Sequence, residues 1–141
     1  MSQKLKVRLD RAFRLTQDLF AHLDEASLKL DLPNVPSNSI AGQVWCIVGA
    51  RESYTKAIAA GEWKGFACSL KEPGKKQSVL AALDSSRAAL DAIDFFKLTE
   101  KQSEITLDLL EHEIQHHGQL IRYVYANKLS FPKSWNERYT V

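Results

Sequence analysis

Three of the four histidines fall in one stretch, Glu111-His112-Glu113-Ile114-Gln115-His116-His117-Gly118-Gln119. His112 and His116 are four apart, so on a helix they stack on one face, a turn from each other. Two imidazoles in that relation can grip one metal ion from a rigid scaffold. The same spacing also suits a structural pair hydrogen-bonded to neighbouring carboxylates or carbonyls. Without such partners, burying the ring nitrogens costs a few kcal/mol. A metal needs a further donor, and the candidates are few. His117, Glu111 and Glu113 point off the shared face. Cys46 sits at the edge of an apolar arc, where a thiol is ordinarily a small apolar filler.

The elements that must carry these residues all read as helices. Leu5, Leu9, Ala12, Phe13, Leu19, Phe20, Leu23, Ala26 and Leu30 recur at helical spacing and predict a helix from about Lys4 to Leu30. His22 lies off that stripe and is expected to be exposed. Asp31 to Asn38, with two prolines, is punctuation. Ser37, Asn38 or Ser39 caps a second helix that runs to about Ala60, with Gly61 just past its end. Its apolar positions are Ile40, Val44, Ile47, Tyr54 and Ile58, while Glu52 and Lys56 mark the wet side. The pattern breaks from Gly61 to about Gly74. A third helix follows from about Lys75 to Phe96. Thr99 and Gln102 form a capping box opening a fourth, which continues to about Ala126 with Asn127 as a left-handed terminator. The tail, Lys128 to Val141, holds Phe131, Trp135 and Tyr139 and is expected to fold back on the bundle.

Four helices and no strand pattern predict an all-α four-helix bundle in one domain, residues 1–141. The middle connection, about fourteen residues at roughly 3.3 Å each, can span the length of a bundle. It lets helices 2 and 3 run parallel, up-down-down-up, whereas a simple up-down-up-down bundle needs no such link. In that topology Cys46 lies roughly 10 Å below one end of the bundle and His116 roughly 15 Å below it, nearly level. On helix 4, His112 and His116 share a stripe with Leu98, Ile105, Leu109, Leu120 and Tyr123. A second stripe holds Leu107, Leu110, Ile114, Ile121, Val124 and Tyr125. Two apolar stripes imply two partners, the bundle and something else, with self-association the economical choice.

The formal net charge is +2, so no strong field points to nucleic acid or a membrane surface. Two cysteines, Cys46 and Cys68, make no disulfide framework. Neither a signal peptide nor a membrane span is read, and the reducing cytoplasm is the expected setting.

At the histidines the chain resembles the DinB/YfiT-like superfamily, over nearly its whole length. His112-Glu113-Ile114-Gln115-His116-His117-Gly118-Gln119-Leu120 is similar to its helix-4 signature, with His117 standing where arginine is usual. Ser39-Ile40-Ala41-Gly42-Gln43-Val44-Trp45-Cys46-Ile47-Val48 resembles its helix-2 motif, with Cys46 in place of a ligand histidine. The Phe131-Pro132 tail is similar too. The resemblance implies an up-down-down-up bundle, frequent homodimers, and a divalent metal on His112, His116 and, by substitution, Cys46. Such a set suits zinc or nickel better than magnesium or calcium. The departure at Cys46 either alters the choice of metal or marks a site that has lost it.

Two functions follow as expectations. One is a metal-dependent enzyme acting with a low-molecular-weight thiol, of transferase or isomerase type, or a hydrolase. Glu52, Tyr54, Glu111 and His117 are its candidate bases or pocket residues. The other is a non-catalytic dimeric bundle binding a small ligand or partner, with the metal site degenerate. A redox or nucleophilic role for Cys46 needs an exposed, activated thiol.

Overall fold

The first helix, Ser2–His22 (α1), stops well short of the expected Leu30. The Leu23 N–H closes on the Leu19 carbonyl at 2.9 Å, and Asp24 is extended (φ −71°, ψ 152°). A short 3-10 helix, Glu25–Lys29, then turns Leu28 inward, where it is buried in the same cluster as Ile40 and Val44. The Ile40 N–H bonds the Leu30 carbonyl at 2.9 Å. A helix continued straight would have carried Leu28 away from the core; burying such a side chain contributes about 2 kcal/mol.

Ser39 caps the second helix, Ile40–Ala60 (α2), its Oγ accepting from the Gly42 N–H at 3.1 Å. Gly61 ends it in a left-handed conformation, φ 75°, and its N–H reaches the Ala57 carbonyl at 2.8 Å. The connection that follows lies along α2. Ser53 Oγ accepts from the Ala67 N–H and donates to the Ala67 carbonyl, at 3.0 and 3.1 Å. Phe66 presses on Gly49, where any Cβ would collide with its ring.

The third helix, Lys76–Asp91 (α3), ends before the expected Phe96. A turn, Ile93 N–H to Leu90 carbonyl at 3.1 Å, swings Phe95 into the core and leaves Phe96 78% exposed. Thr99 and Gln102 form the capping box of the fourth helix, Glu100–Ala126 (α4), as their spacing predicts. Its terminator differs from expectation. Asn127 has φ −99°, and the left-handed residue is Lys128, φ 56°. The Leu129 N–H reaches the Val124 carbonyl and the Lys128 N–H the Tyr125 carbonyl, at 2.9 and 3.0 Å, a Schellman closure shifted one residue on. Asn127 instead uses its side-chain amide, donating to the Asp31 and Tyr123 carbonyls. In the tail, Lys133–Tyr139 forms a fifth helix (α5). Trp135 is fully buried, and its Nε1–H donates to the Leu15 carbonyl at 2.6 Å.

The computed structural model describes residues 2–139, all helices and connections with no strand among them; residues 140–141 of the expected tail lie outside. α4 packs on α2 and α1, and α3 on the same two helices. α2 and α4 run in opposite senses. The Tyr123 hydroxyl reaches the Asn38 carbonyl at one end, and Gln102 Nε2 donates to the Ile58 carbonyl at the other. The His-bearing stripe of α4 faces inward, with Ile105, Leu109, Leu120 and Tyr123 buried, while Leu107, Ile114 and Tyr125 are exposed. No described helix is long and apolar enough to cross a membrane.

The apolar interior falls into two clusters, one holding Leu19, Ile40, Val44 and Leu120, the other Leu9, Phe13, Ile58 and Leu109. A buried polar layer occupies the gap. Thr16 comes from α1, Arg51 from α2, Ser86 from α3, and Glu113 and His117 from α4.

Candidate functional site

The α2/α4 contact brings Gln43 against His116 and Tyr54 against His112. The two imidazole centroids are 4.6 Å apart. Gln43 Nε2 donates to Asn38 Oδ1 at 2.9 Å, which turns Gln43 Oε1 toward His116 Nδ1, 2.6 Å away. An acceptor at that position requires a proton on Nδ1. The neutral ring therefore keeps its lone pair on Nε2. His112 differs, because its Nδ1 is buried with no hydrogen-bond partner among the described residues.

Burial holds the His112 imidazole below its ordinary value, with the Glu113 charge opposing. Burial, and then repulsion from His112, lowers His116 to about 4. Both rings are thus neutral at pH 7 and can offer lone pairs. A shallow cleft of about 160 Å³ opens beside them, lined by Tyr54, Asp108, Glu111, His112 and Gln115. The Tyr54 ring is 6.2 Å from His112 and meets Trp63 edge-on at 5.1 Å. Burial, then the Asp108 charge, pushes the Tyr54 hydroxyl above its usual range. Tyr54 and Glu111 are therefore at the histidine cleft.

Glu52 and His117 are placed elsewhere. Glu52 accepts from the Ser69 N–H and hydroxyl at 3.0 and 2.5 Å, pinning the α2–α3 connection. His117 is fully buried on the α1 side of α4. Cys46 is half-buried on α2, and burial pushes its thiol up, so it is protonated at neutral pH. Among the described residues no group of three or more His, Cys, Asp or Glu side chains is disposed to hold a metal ion. The imidazole pair itself suits a divalent ion of borderline softness such as zinc or nickel. It offers two neutral nitrogen donors, one with its tautomer set by an amide and one with an unpartnered buried nitrogen.

The polar layer behind this pair escapes a reading of single helices. Arg51 grips Glu113 through Nε to Oε2 at 3.1 Å and Nη2 to Oε1 at 2.5 Å, and its guanidinium lies 3.7 Å over the Phe13 ring. Thr16 donates its single proton to Glu113 Oε1 at 2.5 Å. Its Oγ1 must then accept from His117 Nε2–H at 2.8 Å, which leaves His117 Nδ1 to accept from the Tyr139 hydroxyl at 2.6 Å. Burial alone would raise the Glu113 carboxyl, but the Arg51 charge and bonds outweigh it and hold the group below the usual range. Burial lowers His117 to about 4. The available signal was phase. Arg51 falls in step with Val44, Ile47, Tyr54 and Ile58, and Glu113 in step with Leu109 and Leu120. Opposite charges on two core stripes can be read as a pair only when both helices are considered together.

No model of a known protein family matches the chain, and neither does any curated protein.

Proposed function

We propose that this chain is a DinB-like, up-down-down-up four-helix bundle that binds zinc or nickel on His112 and His116, with Cys46 as the third donor. The topology is supported by the opposed senses of α2 and α4. The observation that carries the metal reading is the imidazole pair, whose His116 tautomer is set by the Gln43–Asn38 chain. Gln43 orients His116 and leaves Nε2 free, while His112 contributes from the edge of the cleft. Cys46 is protonated beforehand, so ligation by its sulfur would release one proton. A bound ion would supply a Lewis acid with an open position, suited to a low-molecular-weight thiol or to water, for transfer, isomerisation or hydrolysis. Tyr54 and Glu111 line the space where a small-molecule substrate would sit and can hold its polar groups. A reducing cytoplasm, in which both cysteines stay free, belongs to the same reading.

The test is the metal content of tag-free protein purified without added metal, beside His116→Ala and Cys46→Ala. Near-stoichiometric metal in the wild type, lost in His116→Ala, is expected; the Cys46→Ala protein then reports whether sulfur is a donor. No metal in any sample, and none taken up on reconstitution, would overturn the reading.

A second reading, a non-catalytic homodimeric bundle, is favoured by one observation. A groove of about 290 Å³ between α1 and α4 is lined by Leu5, Leu107 and Leu110 together with Lys4, Arg8 and Ser103. Leu107 is 48% and the nearby α1 residue Val7 63% exposed. Sedimentation of the wild type beside Leu107→Glu tests it: a dimer converted to monomer supports self-association through this face, and a wild-type monomer refutes it.

A further inference from the structure

On the α1/α5 side of the molecule a cleft of about 240 Å³ is lined by Arg11, Arg14 and Arg138, with Leu15 as apolar floor. None of the three guanidiniums makes a side-chain hydrogen bond or ion pair among the described residues, although Asp18 and Glu137 line the same cleft. Those carboxylates are already engaged. Ser134 donates its hydroxyl to Asp18 Oδ2 at 2.7 Å, and Lys133 lies 3.5 Å from Glu137, one turn along α5. Three cations and two anions thus line one concave surface, and each anion has a partner other than the arginines.

The walls of this cleft are anchored. α5 is held to α1 by the Trp135 Nε1–H to Leu15 carbonyl bond and to α4 by the Tyr139 hydroxyl on His117. Arg138 lies over the Tyr139 ring at 5.4 Å. Arg11 also lines the neighbouring concavity with Lys4 and Arg8, so the positive field extends along α1. A guanidinium fork matches phosphate oxygens better than any other side chain does, and the three arginines outnumber the two carboxylates of the cleft. The volume lies below the roughly 300–1,000 Å³ typical of drug-sized ligands, which selects a compact anion.

We propose that Arg11, Arg14 and Arg138 form a binding site for a phosphomonoester dianion, in the α1/α5 cleft and separate from the histidine pair. A soluble phosphate compound and a phosphomonoester lipid headgroup share this chemistry. The site needs no metal and does not depend on the function proposed above.

Titration calorimetry at low ionic strength, with inorganic phosphate and phenyl phosphate as probes, tests the soluble form. Co-sedimentation with phosphatidylcholine vesicles containing phosphatidic acid tests the headgroup. Arg14→Ala/Arg138→Ala is compared with Lys56→Ala/Arg122→Ala, which removes the same charge from exposed positions elsewhere. The expected result is saturable binding by the wild type, weakened about tenfold or more in the cleft variant and little changed in the control. Binding confined to the soluble probes identifies a free phosphate compound; binding confined to vesicles identifies a headgroup. No binding of either probe class, or equal loss in both variants, overturns the proposal. Unchanged thermal unfolding of the cleft variant excludes misfolding as the cause of a loss.

Discussion

Replacing Arg51 by methionine tests whether the polar layer is a paired-charge network. The substitution keeps much of the side chain's length but removes both guanidinium bonds to Glu113 and the contact with Phe13. Glu113 is fully buried and would keep only the Thr16 hydroxyl. Leaving one member of such a pair without its partner costs about 3–5 kcal/mol, a large part of the roughly 5–15 kcal/mol that holds a domain together. The pH dependence is the sharper check. With Arg51 gone, burial dominates and the carboxyl rises above its ordinary value. A group whose folded pKa is raised favours the folded state at low pH, and that contribution is lost as pH rises through the folded pKa. Urea unfolding should therefore show a penalty, relative to the wild type, that is largest at neutral pH and shrinks near pH 5. The direction is the same whether the proton settles on Glu113 or on His117. Arg51→Met/Glu113→Gln, with no buried charge, should recover most of the loss. A penalty below about 1 kcal/mol, or one that does not change with pH, would refute the reasoning.

Three further predictions rest on separate contacts. Gln43→Leu removes the acceptor that sets the His116 tautomer, so on the metal site proposed above the affinity by competition with a chromogenic chelator should fall about 10–100-fold while the helical circular dichroism is kept; unchanged affinity would remove Gln43 from the site. His116 and His117 are held at about 4 in the folded state against an ordinary 6.5, so the folded protein binds fewer protons between those values. Wild-type stability should accordingly be full above pH 6.5 and decline as pH falls toward about 4, read as the urea midpoint, and a flat profile would show that the rings titrate normally. Thr99→Ala, which opens the capping box of α4, should cost about 1 kcal/mol in thermal or urea unfolding, and Thr99→Ser should restore most of it.

Much of this protein was legible along the chain because the responsible interactions are local. Ser39, Gly61 and the Thr99–Gln102 box act within one turn of their own backbone, so their residue types and spacing suffice to place the helix ends they control. Periodicity likewise placed His112 and His116 on one face. Where a distant residue competes, local signals failed. Leu28 is drawn back into the cluster that holds Ile40 and α1 stops early; α3 stops at Asp91 rather than Phe96, and Phe95 turns into the core; Lys128 rather than Asn127 takes the left-handed turn, while the Asn127 amide reaches Asp31. The identity of the α4 core stripe, the Gln43 amide on His116 and the Arg51–Glu113 pair all depend on how α2 and α4 are rotated and set in register. That choice minimises unpaired buried polar groups across helices, a condition on pairs of residues far apart in the chain, and only the tertiary structure decides it.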